Sequence, residues 1–120
     1  MAKLIHKNKI ILLEMKYATN ILDLGRGLMF ASKKKIDKGI CMVLPRRSEG
    51  RVSFAITMLF CFYPYDILFI NSRFEVVDKV MLNPWRITYI PKKPCKYVIE
   101  SSKNKFKNIK VGDVVNIEKD

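Results

Sequence analysis

Three carboxylates stand close enough along the chain to be considered together: Asp66 at the head of an apolar run, and Glu75 and Asp78 just beyond the turn residues Asn71-Ser72-Arg73. General acid–base work needs a second acid within reach or a carboxyl with a raised pKa. A carboxylate-dependent hydrolase or isomerase is therefore one alternative that the residue types allow. Arg26, between Gly25 and Gly27, presents a guanidinium where glycines permit close backbone approach, which suits an anionic or carboxylate partner. Its natural internal partner is Asp66, and the favoured reading of the two is a structural ion pair. Cys61 lies in an apolar run, and the only histidine, His6, is far from it in the chain, so nothing adjacent would activate a thiol. No second histidine or cysteine stands at ligand spacing from His6, so no metal site is expected. No glycine-rich phosphate loop, dinucleotide fingerprint or nucleophile elbow occurs, and no cofactor is implied.

Binding chemistry has more support than catalysis. The polar and aromatic residues hardest to explain as packing are Arg26, Thr57, Tyr63, Asp66, Trp85 and Arg86. They predict a pocket formed by the end of a helix, the Thr57–Asp66 segment and the Asn83–Pro94 loop, in a non-catalytic module whose partner is a small ligand or a protein. The alternative is sequence-independent nucleic-acid binding through the basic loops, carried by Lys33, Lys34, Lys35, Arg46, Arg47, Lys92, Lys93 and Lys105. Trp85, Tyr89 and Phe106 would then stack exposed bases beside them. A lysine-rich solvated surface explains the same charges equally well.

The elements that must position these residues follow from patterning. Leu4–Met15 reads as a first strand, and Asn20 followed by Asp23 reads as the start of a short helix running to about Met29. Lys33–Gly39 reads as a basic loop. Ile40–Leu44 is a buried strand closed by Pro45, and from Val52 to Phe60 the apolar period becomes two. Asp66–Asn71 has apolar residues on both faces and is predicted to be the central strand. It leads through a turn into Glu75–Leu82 as a hairpin. Tyr97–Glu100 and Val114–Glu118 are further strands, and Val111-Gly112-Asp113 is a turn in which glycine supplies a positive φ. The expectation is a mainly β fold, a compact sandwich or partly open barrel of about seven strands with one short helix across an end.

The chain has 120 residues, 23 Lys plus Arg against 11 Asp plus Glu, a formal charge of +12 and 49% hydrophobic residues. One domain over residues 1–120 fits that length, and disorder does not fit that apolar content. The odd set Cys41, Cys61 and Cys95 reads as reduced thiols. The basic N-terminus lacks a signal-peptide core, and the longest apolar stretch, Phe54–Ile70, contains Pro64 and Asp66 and falls short of the roughly 20 residues that cross a bilayer. A cytoplasmic protein without membrane contact is expected, monomeric or weakly dimeric through exposed edge strands. Glutamine is absent while Lys and Ile are abundant, the direction thermophile proteins take, although seven asparagines run against it.

Several of these segments together resemble a known family. Arg26-Gly27-Leu28-Met29 matches its R-G-L-M element, and Pro64-Tyr65-Asp66-Ile67-Leu68-Phe69-Ile70-Asn71 matches P-x-D-[IV]-[IL]-F-[IL]-D except for the last residue. Tyr97-Val98-Ile99-Glu100 matches Y-V-[IL]-E, and Ile109 to Asp113 matches I-x-x-G-D. Over roughly Lys9–Glu118 the chain resembles domain-of-unknown-function family 192 (uncharacterised protein family 0127). The Asn83–Arg86 and Pro91–Pro94 pieces look like its archaeal branch. The resemblance implies a compact, mainly β fold and no particular activity. Thr57-Met58-Leu59-Phe60 stands where bacterial members have W-M-K-N, and Asn71-Ser72-Arg73-Phe74 replaces a D-x-x-G turn, so no role of that lysine carries over.

Overall fold

The computed structural model describes residues 1–19, 32–44, 63–84, 89, 91 and 93–119. The elements are β1 (Ala2–His6), β2 (Lys9–Ala18), α1 (Lys33–Lys38), β3 (Ile40–Val43), β4 (Tyr65–Ile70), β5 (Val76–Leu82), β6 (Tyr97–Ser102) and β7 (Asn116–Lys119). The strands form one seven-stranded sheet in the order β5-β4-β6-β3-β2-β1-β7. All pairings are antiparallel except β2 with β3, which run parallel.

The first strand of the sequence reading is in fact a hairpin. Lys7 and Asn8 both take positive φ (50° and 64°), the turn geometry that matches the twist of two flanking strands. Asn tolerates that conformation, but the usual Asn-Gly signal is absent, which is why patterning alone runs β1 and β2 together. The β4–β5 hairpin stands where it was predicted. Asn71 builds its turn, its Oδ1 accepting from the amides of Arg73 (2.9 Å) and Glu75 (3.0 Å). Every residue of β4 is buried, in line with apolar residues on both faces. It lies between β5 and β6, however, while β3 holds the middle of the sheet.

The two ends of the sheet approach each other. Gly112 N–H donates to Val76 O, Val76 N–H to Asp113 O and Val115 N–H to Phe74 O, at 2.8, 2.8 and 2.9 Å. Gly112 takes φ +98° there, the turn conformation predicted for it. These bonds tie the turn before β7 to the start of β5, while the strands themselves form an open sheet. One face packs Leu4, Leu12, Met15, Leu68, Ile99, Phe106 and Val115, and the other packs Ile36, Ile40, Met42, Tyr65, Ile67, Phe69 and Val98.

Lys33–Lys38 is a helix rather than a loop. Ser32 caps it, its Oγ accepting the Lys35 amide at 3.3 Å, and Gly39 at φ +80° ends it with its own amide on Lys35 O. A single apolar residue, Ile36, anchors it to the core, and Lys35 and Lys38 lie in the last turn, where the helix dipole favours cations. One apolar position in six residues is too little periodicity to be read as a helix. The expected helix over Asn20–Met29 and the period-two strand over Val52–Phe60 fall outside the described residues. No described helix is long and apolar enough to cross a membrane.

Candidate functional site

α1 lies across the end of β6, held there by Ser101, whose hydroxyl donates to the carbonyls of Ile36 (2.9 Å) and Asp37 (3.3 Å). Two clefts border the helix, with Asp37 in the lining of both. The first, about 410 Å³, is lined by Lys33, Ile36, Asp37, Tyr63, Pro64, Ser102 and Lys103. The second, about 310 Å³, lies between Lys34, Asp37 and Lys38 of the helix, residues 11–14 of β2, and Lys105. Lysines from α1 and from the 103–105 turn thus meet across both clefts.

Of the predicted pocket residues, Tyr63 reaches the first cleft and is 40% exposed. Asp66 does not. It is buried, and its Oδ2 accepts the amide of Phe106 at 3.3 Å. Lys79, opposite Leu68 and on the same face as Asp66, donates to the carbonyls of Phe106 (2.6 Å) and Ile109 (2.8 Å). Asp66 and Lys79 therefore clamp the 103–109 turn from below, a structural duty. Arg26, Thr57, Trp85 and Arg86 lie outside the described residues, so the Arg26–Asp66 pair does too.

The carboxylate pair needed for catalysis is not assembled. Asp66 pairs with Met81, whereas Asp78 pairs with Phe69, three residues along β4, which puts the two carboxylates on opposite faces of the sheet. Asp78 instead accepts the Tyr89 hydroxyl at 2.6 Å, and the Tyr89 ring lies 5.7 Å from that of Phe69. Glu75 sits beyond the far end of β4, accepting from the Asn71 side chain at 3.2 Å.

The basic residues divide into two groups. Lys33, Lys34, Lys35 and Lys105 gather at the α1 end of the sheet, together with Lys38 and Lys103. Lys93 is exposed near Cys95 and Lys96, beside the start of β6, which is roughly 17 Å away along that strand at ~3.3 Å per residue. Arg46, Arg47 and Lys92 lie outside the described residues. Phe106 is fully buried and Tyr89 is tied to Asp78, so neither ring is the base-stacking platform the sequence invited.

Two titratable groups escaped the sequence reading. Glu100, on β6 between Ile40 of β3 and Ile67 of β4, is 4% exposed, and among the described residues no group hydrogen-bonds its carboxyl. Burial pushes its pKa up to about 7. The available signal was its alternation with Val98, which places an acid on a face that is otherwise apolar. His6 is buried and bonded through Nε2 to Asp113 Oδ2 at 2.9 Å. Asp113 also accepts the Lys110 amide, and these two bonds, the backbone one foremost, hold its carboxyl below the usual range. The Gly-Asp turn is structural, as predicted. Cys41 and Cys95 are both buried, and burial pushes the Cys41 thiol up to about 12. Among the described residues no group of three or more His, Cys, Asp or Glu is placed to hold a metal ion.

Comparison with known proteins agrees with the fold. The model of the family DUF192, described as "Uncharacterized ACR", matches residues 3–117. A UPF0127 protein of Pyrococcus furiosus is 36% identical over 109 residues, covering 89% of each chain. One from Pyrococcus abyssi is 34% identical over 119 residues, covering 96% of this chain and 97% of its own. A crystal structure of a protein of unknown function from Novosphingobium aromaticivorans superposes with a TM-score of 0.79 at 18% identity, covering 96% of this chain and 82% of that one. A protein of Sinorhizobium meliloti provisionally assigned as a transcription regulator superposes with a TM-score of 0.73 at 21% identity, covering 98% and 90%.

Proposed function

Because the chain belongs to the DUF192 family, which has no established activity, we propose that it is a non-catalytic module that binds a small phosphorylated ligand in the cleft between α1, the Tyr63-Pro64 corner and the end of β6. The observation that carries this reading is that Lys33 and Lys103 line one cleft together with an exposed Tyr63 and the Ser102 hydroxyl. Two ammonium groups supply charge for a phosphate, the hydroxyls supply neutral donors, and the phenol ring supplies a flat surface. Asp37 provides an acceptor for a ligand hydroxyl. At about 410 Å³ the cleft falls in the range that small-molecule sites occupy, roughly 300–1,000 Å³.

The test is titration of the protein with inorganic phosphate, ribose 5-phosphate and AMP, followed by amide chemical shifts. The reading expects saturable shifts centred on Lys33, Tyr63 and Lys103, strongest for the organic phosphates and abolished in Lys33→Glu/Lys103→Glu. Shifts spread evenly over all lysines, or none at millimolar ligand, would refute it.

A second reading is polynucleotide binding. Six lysines, Lys33, Lys34, Lys35, Lys38, Lys103 and Lys105, flank one helix, a local density that suits a phosphate backbone. The Sinorhizobium neighbour's provisional assignment points the same way. Against it, Lys93 lies at the other end of the strands, and among the described residues Tyr63 is the one exposed ring beside the six. Under either reading the protein acts in the cytosol, as a monomer or weak dimer.

A further inference from the structure

β2 meets its two neighbours along different parts of its length. β1 runs along it from Lys9 to Met15, whereas β3 joins it only at Lys16, Tyr17 and Ala18. From Ile10 to Met15 the second edge of β2 has no strand beside it among the described residues, and the 310 Å³ cleft lies along that edge with α1 as its other wall. A groove between a strand edge and a helix is the shape that accepts an extended peptide as an added strand. Main-chain hydrogen bonds then give affinity and flanking side chains give selectivity.

We propose that an extended acidic peptide segment docks in this groove, pairing with the open edge of β2 while its carboxylates meet Lys34 and Lys105. The charge lining the groove selects that partner. Lys38 is paired with Glu14 (3.7 Å). Among the described residues no acid is within ion-pair distance of Lys34 or Lys105, and the remaining lining acid is Asp37. Leu13 is 57% exposed and Ile11 half-buried, which adds apolar surface for the alternate side chains of the incoming strand. Lys33 and Lys103 do not line this groove, and Lys34 and Lys105 do not line the other cleft, although Asp37 borders both, so the lysines of the two sites can be changed separately.

The experiment uses the full chain and a labelled pentapeptide, Asp-Val-Glu-Val-Asp, followed by fluorescence anisotropy. Comparison peptides are Lys-Val-Lys-Val-Lys and two versions of the acidic peptide N-methylated at alternate amides. Saturable binding of the acidic peptide is expected, at least tenfold weaker for the basic peptide, for Lys34→Glu/Lys105→Glu and for one of the two N-methylated versions. Amide shifts should centre on residues 10–15, and Lys33→Glu/Lys103→Glu should leave binding unchanged. Equal binding of both N-methylated peptides would reduce the contact to charge alone and overturn strand addition. Absence of binding would overturn it too, as would a concentration-dependent dimer in which this edge is protected by a second copy of the chain.

Discussion

Glu100→Gln isolates a single buried carboxyl. The side chain lies between Ile40 and Ile67, and burial raises its pKa from 4.5 to about 7. A carboxyl that holds its proton more tightly folded than unfolded favours the folded state fully below the unfolded pKa. That contribution is lost as pH rises through the folded value. At about 1.4 kcal/mol per pH unit, the native state should lose about 3 kcal/mol between pH 4.5 and pH 7 through this group. Glutamine has the same shape and cannot ionise, so the variant should lack that slope. Its amide is buried in the same place at every pH, which shifts the whole curve without tilting it.

The assay is guanidinium chloride unfolding of both proteins at pH 4.5, 5.5, 6.5 and 8. With denaturant slopes of roughly 2–6 kcal/mol/M, the gap between their midpoints should change by roughly 0.5–1.5 M in favour of the variant from the lowest to the highest pH. Parallel profiles for wild type and variant would refute the reasoning, because they would mean that Glu100 ionises in the native state as easily as in the unfolded chain.

Asp66→Ala should strand the buried amide of Phe106 and cost about 1–3 kcal/mol of stability while leaving ligand binding at the α1 cleft unchanged, checked by urea unfolding and phosphate titration together. Gly39→Ala should destabilise by about 1–3 kcal/mol, because φ is +80° and the added methyl would stand 2.9 Å from Leu12 Cδ1 and 3.0 Å from Glu100 O; thermal unfolding reads this directly. Cys41, buried with its thiol pushed up to about 12, should remain unmodified by a thiol reagent in the native protein and react only on unfolding, as read by mass spectrometry of its peptide.

Much of the sheet was legible because it is encoded locally. The doubly apolar run predicted over Asp66–Asn71, the turn after it and the glycine of the Val111-Gly112-Asp113 turn each carry their own signal, and the strand stands within one residue of its predicted bounds, at Tyr65–Ile70. The β1–β2 turn was missed because Lys7 adopts a positive φ without a glycine to announce it, and α1 because its burial rests on Ile36 alone. The site was half legible. Tyr63 and Lys33 were singled out for different reasons, one for a pocket and one for charge, yet they line the same cleft. What joins them is the crossing of α1 over the end of β6, fixed by the Ser101 hydroxyl on a helix more than sixty residues earlier in the chain. A contact at that separation leaves no trace in periodicity. Asp66 was read chiefly as a structural residue paired with Arg26, and the partner that the fold shows for it is the amide of Phe106, forty residues later in the chain.

Titration of the full chain with AMP, monitored by amide chemical shifts in wild type and in Lys33→Glu/Lys103→Glu, tests the central claim most directly. Saturable shifts confined to Lys33, Tyr63, Ser102 and Lys103 are expected in the wild type, with their loss in the variant. Shifts of equal size on Lys93 and Lys96 at the opposite end of β6, or binding that survives the double charge reversal, would contradict it.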